Sequence, residues 1–174
     1  MVKDTSLWSL GRRFESVRGY TLFNMKNTIQ DISSLGGNPI YFAVAFLFLI
    51  TKHFREFWIL TIAFVIAYLI TMAIRFTWWQ ERPDKQKYHG LWEKFDSGSF
   101  PSLHAARATM LAIFVSIFYQ NIFVWIAFIA AVVLVCWARV YLKRHRLIDV
   151  IIGALTGLII GVIAPQIINA LGIF

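Results

Sequence analysis

Three short groups of residues in this 174-residue chain have the types and spacing to act on a phosphate ester. Arg75 is followed, after six residues, by Arg82-Pro83; Phe100-Pro101-Ser102-Leu103-His104 forms a second group. In the third, Arg139 is followed after five residues by His145 and after three more by Asp149. Arg75, Arg82 and Arg139 can surround one dianionic phosphate with charge-assisted, partly bidentate hydrogen bonds, and they stay charged at any working pH. Ser102 and the amides beside it precede a helical pattern, where unsatisfied N–H groups favour an anion. His145 and Asp149, four apart, share one face if a helix begins that early. The carboxylate can then hold the imidazole tautomer so that one nitrogen is left to attack phosphorus. His104, from another segment, can protonate the leaving oxygen. Phosphoryl transfer depends chiefly on positioning and charge stabilisation. The groups lack the paired carboxylates that a magnesium site prefers, so no metal or other cofactor is expected.

The elements that must position these residues are membrane helices. The chain is 59% hydrophobic and 15% charged, with a mean hydropathy of +0.65. A water-soluble domain of this size keeps too much surface exposed to hide that composition. Five apolar segments read as spans: 37–51, 57–74, 103–119, 122–142 and 148–171. A span needs about 20 apolar residues, so the first and third are short. Ahead of them, Leu7, Leu10, Phe14, Val17 and Thr21 recur at spacings of three and four, with Arg12, Arg13, Glu15 and Arg18 interleaved. That pattern is an amphipathic helix, lying in the membrane interface or packed on the bundle. The same charges interrupt any signal-peptide core. Gly36-Gly37-Asn38-Pro39 then turns the chain into the first span. The expectation is an all-α membrane bundle of about five transmembrane helices in one domain, 1–174, with 1–31 as interfacial helix and 32–174 as core. Threading five spans brings all three residue groups to one membrane face, and that convergence says more than any one group.

Net charge is +8, yet the basic residues fall between apolar spans, not along one polar face. The partners this implies are the bilayer and a lipid phosphate, not nucleic acid. The threading puts all the Lys and Arg residues except Lys52 and Arg55 on the motif face, which leans that face toward the cytoplasm of a cell membrane. Moving the N-terminal helix across would erase the bias. The single cysteine, Cys136, lies within an apolar span and excludes an internal disulfide. Trp78, Trp79, Tyr88 and Trp92 in the 75–101 stretch fit an interfacial belt. Arg107, inside the third span, is a bundle ion-pair partner or a residue behind the phosphate ligands. The sequence sets no oligomeric state.

Taken in order, the groups resemble the type 2 phosphatidic acid phosphatase superfamily, whose pattern is Lys-x6-Arg-Pro, Pro-Ser-Gly-His and Ser-Arg-x5-His-x3-Asp. The counterparts here are 75–83, 101–104 and 138–149. The resemblance implies that His145 is the nucleophile, forming a phosphohistidine, with Asp149 orienting it and His104 as general acid. It implies phosphate binding by Arg75, Arg82, Ser102, the Leu103 amide and Arg139, without a metal. Arg75 stands where the family has lysine, Leu103 and Lys143 where it has glycine, and Ala138 where it has serine. The expected activity is hydrolysis of a lipid phosphate or diphosphate monoester: a polyprenyl diphosphate, phosphatidate or phosphatidylglycerol phosphate. A lipid phosphotransferase of the same fold, or a non-catalytic lipid-phosphate binder or transporter, would present the same residues.

Overall fold

The computed structural model describes residues 24–84, 90, 93, 97–170 and 172. The amphipathic stretch from Leu7 to Phe23, and Tyr88 and Trp92, lie outside the described residues. Within them the chain forms α1 (Asn24–Ser34), α2 (Asn38–Ile50), α3 (Phe54–Thr77), α4 (Leu103–Tyr119), α5 (Ile122–Tyr141) and α6 (Leu147–Ala170).

Local chemistry sets the breaks. α1 and α2 meet at 41° across Leu35, Gly36 and Gly37. Gly37 is extended, and Pro39 sits in the first turn of α2, where its missing N–H leaves no helical bond unmade. Ser102 caps α4 by accepting from the Ala105 N–H at 3.4 Å, and Asn121 caps α5 by accepting from the Phe123 N–H at 2.8 Å. Between them Gln120 closes α4 with a left-handed φ of 49°.

α4 is the central helix. Met110 to Ser116 are buried all round it, as are Ala105, Ala106 and Ala108. Its small residues let α6 approach to backbone contact: a Cβ on Gly153 would lie 2.4 Å from the Ser102 carbonyl oxygen, and one on Gly157 would lie 2.2 Å from that of Ala106. Such small-residue seams join helices in lipid, where apolar area alone gives no drive to associate. Tyr41, Phe48, Ile59, Leu60, Met110, Phe114 and Ile160 fill the core between α2, α3, α4 and α6. The buried Tyr41 hydroxyl donates to the Leu60 carbonyl at 2.9 Å, so the core holds no stranded donor there.

The outer surface is apolar. α5 exposes Ile122, Phe123, Ile126, Ile129, Val133 and Trp137, a face that water would not tolerate and lipid covers. The chain is an integral membrane protein. By length and composition α3, α5 and α6 can each cross a membrane, and α1 with α2 can form a fourth, bent crossing. This differs from the five spans read in the sequence. α4 has 17 residues, roughly 26 Å at 1.5 Å per residue, short of a core of about 30 Å. It also carries Arg107. Being sheathed by other helices, it has little need of a full lipid-matching length. The start of α2, the end of α3, the start of α4, the end of α5 and the start of α6 share one end of the bundle. At the other end Arg55 Nη2 donates to Asn169 Oδ1 at 2.8 Å, tying α3 to α6.

Candidate active site

A cavity of about 630 Å³ opens among those converging ends. Arg75, Arg82, Leu103, His104, Arg139 and His145 all line it. Ser102 and Asp149 do not; both are fully buried immediately behind it.

Each arm has its own support. Arg75 lies in the last turn of α3, 2% exposed, and its Nη2 donates to the Pro101 carbonyl at 3.1 Å. Arg139 ends α5; its Nη1 donates to Ser33 Oγ at 3.2 Å and its Nη2 to His145 Nε2 at 3.1 Å. His145 Nδ1 lies 2.7 Å from the Ser99 carbonyl oxygen. A carbonyl only accepts, so Nδ1 carries the proton and Nε2 presents its lone pair on the Arg139 side. Burial, then Arg139 and Arg82, push the His145 pKa down to about 2, against a smaller upward pull from the Ser99 carbonyl. The ordinary imidazole value is about 6.5, so His145 stays neutral and nucleophilic through the physiological range.

Asp149 sits differently from the sequence expectation. Its Oδ2 is 4.0 Å from His145 Nδ1, too far for a hydrogen bond. That oxygen instead accepts from Ser99 Oγ and, at 2.8 Å, from the Arg146 N–H. The Asp149 carbonyl accepts from the Ser102 N–H at 3.0 Å. Asp149 therefore holds the loop that presents the Ser99 carbonyl, and reaches the imidazole through it. Ser99→Ala would keep the carbonyl and strip a donor from a buried carboxylate. The expected outcome is a loss of about 1–3 kcal/mol, seen as a lower thermal midpoint in detergent. An unchanged midpoint would show that Ser99 Oγ does not hold Asp149.

Ser102 was expected as a phosphate ligand; it lies fully buried behind the cavity, where its hydroxyl accepts from the Ala105 N–H as the α4 cap and keeps its own donor. Leu103, where the resembled pattern has glycine, is an ordinary first helical residue lining the cavity, so its side chain meets no backbone conflict. Lys143 is the opposite case. Its φ of 55° is left-handed, the region that gives glycine an advantage of roughly 1–2 kcal/mol.

Two contributors, Ser99 and α1, escaped the sequence reading; a third, Arg107, was singled out there with its role left open. Ser99 acts mainly through its carbonyl, which any residue type supplies. Arg107 donates from Nε to the Gly36 carbonyl at 2.9 Å, and its Nη2 lies 3.4 Å from His104 Nδ1. An arginine only donates, so His104 Nδ1 is the acceptor. α1 forms a wall: Lys26, Gln30 and Ser33 line the cavity at i, i+4 and i+7, one helical face. That periodicity was visible but fell at the end of a segment read as interfacial.

Fold and site together define a helical membrane protein with an arginine-rich cavity and two imidazoles at its wall. The family model of the PAP2 superfamily matches residues 56–173, and the chain belongs to that superfamily. Its fold is similar to the crystal structure of Aquifex aeolicus LpxE, with a TM-score of 0.68 and 22% identity over 82% of this chain and 86% of that one. It is similar as well to that of a transmembrane PAP2 type phosphatidylglycerolphosphate phosphatase from Bacillus subtilis. There the TM-score is 0.68 and the identity 21%, over 84% of this chain and 77% of the other. A search of curated sequences gave no match.

Proposed function

We propose that this protein is a lipid phosphatase that works through a phosphohistidine on His145. The observation that carries the reading is the pairing at His145: Nδ1 tied to a main-chain carbonyl and Nε2 set beside Arg139 on a cationic cavity. A phosphate seated there meets the nitrogen lone pair and the guanidinium together. Nε2 attacks phosphorus, the bond from phosphorus to the lipid oxygen breaks, and His104 supplies the proton that the leaving oxygen needs. Water then gives its proton to His104 and attacks the phosphorus–nitrogen bond, releasing phosphate and restoring His145. Arg75, Arg82 and Arg139 stabilise the charge that builds on the phosphoryl oxygens. The cavity lies among the helix ends at one end of an apolar-surfaced bundle, which suits a lipid whose headgroup enters while its chains stay in the bilayer.

The donor set suits this chemistry without a metal. Among the described residues lining the cavity, Asp84 is the one carboxylate, and it is paired with Arg144 at 2.8 Å. Phosphate release from a detergent-dispersed lipid phosphate is therefore expected to survive EDTA. Vanadate, which takes up the five-coordinate geometry of the transferring phosphorus, is expected to inhibit at concentrations well below those needed for inorganic phosphate. Loss of activity in EDTA that added magnesium restores would overturn the metal-free mechanism.

A further inference from the structure

Arg107 places a guanidinium inside the bundle, 5% exposed, three residues along α4 from His104. Residues at that spacing are neighbours on one helix face, so the two side chains leave α4 on the same side. Arg107 Nε donates to the Gly36 carbonyl at 2.9 Å, and Nη2 lies 3.4 Å from His104 Nδ1. Nε and Nη2 share one edge of a rigid plane, so a single edge spans the carbonyl and the ring. The carbonyl is itself held in place. A Cβ on Gly36 would lie 2.6 Å from the His104 carbonyl oxygen, so the link between α1 and α2 rests on the turn of α4 that carries the imidazole. Clamping that link needs one donor; the second is aimed at the ring.

That contact decides which nitrogen is left for a bound ester. With a donor against it, Nδ1 keeps its lone pair, and the proton of the neutral ring sits on Nε2. His145 is wired the other way, its Nδ1 facing the Ser99 carbonyl and its Nε2 bare. Both rings line the cavity. One therefore offers it a lone pair and the other an N–H, each fixed from behind by a partner of opposite character.

We infer that Arg107 is the positioning residue of the general acid, setting His104 in the Nε2–H tautomer toward the leaving oxygen from its anchor on the Gly36 carbonyl. This rests on the phosphatase reading and deepens it. As His145 Nε2 bonds to phosphorus, the bond from phosphorus to the lipid oxygen breaks. Its electron pair goes to that oxygen, which takes the Nε2 proton of His104. The pair left on the His104 ring is held by the adjacent guanidinium charge. Water then bonds to phosphorus through its oxygen, the phosphorus–nitrogen bond breaks, and the water's proton returns to His104 Nε2. An alkoxide, whose conjugate acid resembles water at about 15.7, leaves poorly without such a proton. A nitrophenolate leaves as a stable anion and gains little from it. The contribution of Arg107 should therefore depend on the leaving group, which neither a packing role nor a phosphate-binding role would produce.

The test uses the purified full chain in detergent with two esters of equal chain length, dodecyl phosphate and a dodecyl-substituted nitrophenyl phosphate. The first turnover is followed by rapid mixing, because it isolates the departure of the leaving group from the later attack of water. Arg107→Gln is expected to slow it about 10²-fold on dodecyl phosphate and less than about threefold on the nitrophenyl ester. Added to His104→Gln, the same change should cost nothing further on dodecyl phosphate, since the two residues act as one unit. Equal losses on both esters, no loss on either, or additive losses in the double variant would overturn the inference. The wild type supplies a measurement that needs no stable Arg107 variant. With isotope-labelled histidine, the nitrogen resonances of the four histidines report which ring nitrogen is protonated, and His104→Gln identifies the signal of His104. A proton on Nε2 with a bare Nδ1 is expected; a proton on Nδ1 would overturn the assignment. If the wild type hydrolyses neither ester nor any lipid phosphate, the phosphatase reading falls, while the resonances still decide whether Arg107 sets the tautomer.

Discussion

Alanine in place of His145 is expected to lower phosphate release by about 10⁴-fold or more, some 5.5 kcal/mol of barrier. At this cavity His145 has its Nδ1 tied to a main-chain carbonyl and its Nε2 lone pair set beside Arg139. The substitution also leaves the Ser99 carbonyl without its donor, which costs about 1–3 kcal/mol of stability. The variant must therefore be shown folded by its thermal midpoint and by gel filtration. A second readout is chemical: rapid quench of the wild type with labelled substrate should trap an acid-labile, alkali-stable phosphoenzyme, absent in the variant. A His145→Ala protein that is folded and releases phosphate at the wild-type rate would end the phosphohistidine mechanism.

The other large effect is expected from a residue that touches no substrate. Gly153→Ala places a methyl group 2.4 Å from the Ser102 carbonyl oxygen, where only backbone can give way. Helix propensity favours alanine by about 1 kcal/mol, but overpacking of this kind costs about 1–3 kcal/mol, and the clash with main chain wins. The displaced segment is the start of α4, which carries Ser102 and His104. A shift of about 1 Å there is expected to lower kcat by about 10²-fold. Gly157→Ala, aimed at the Ala106 carbonyl, should lower the thermal midpoint comparably. Gly161→Ala is the control, because its nearest neighbour is the Ile113 side chain at 3.4 Å, and it should be neutral or mildly stabilising. Equal tolerance at all three positions, measured as midpoint and kcat, would show that the α4–α6 seam does not set the site.

Much of this was legible in the sequence, for identifiable reasons. Arg75, Arg82, His104, Arg139 and His145 are found where the polar groups interrupt the apolar spans, and their spacing could be read directly. The helices themselves were visible as apolar runs, and the bend before α2 followed from Gly36, Gly37 and Pro39. What stayed hidden has a common cause. The Ser99 carbonyl on His145 and the Gly36 carbonyl on Arg107 are main-chain acceptors, which leave no mark on residue type. The distance between Asp149 and His145 depends on how the short link before α6 runs, which a four-residue spacing cannot fix. Gly153, Gly157 and Gly161 did carry a signal, a small residue every fourth position, and it marks the seam against α4.

The anchoring of the site on carbonyls bears on how the protein can change over time. His145 is steered by the oxygen of residue 99, Arg75 by that of residue 101 and Arg107 by that of residue 36. These attachments are indifferent to the side chain and answer only to the path of the backbone. Divergence at such positions can proceed without disturbing the reacting groups, as long as the chain keeps its course. Arg144 and Lys26, which line the cavity, enjoy no such cover, because a charged side chain acts through its own tip. New preferences for substrate can thus arise at the cavity mouth while the chemistry beneath is inherited intact.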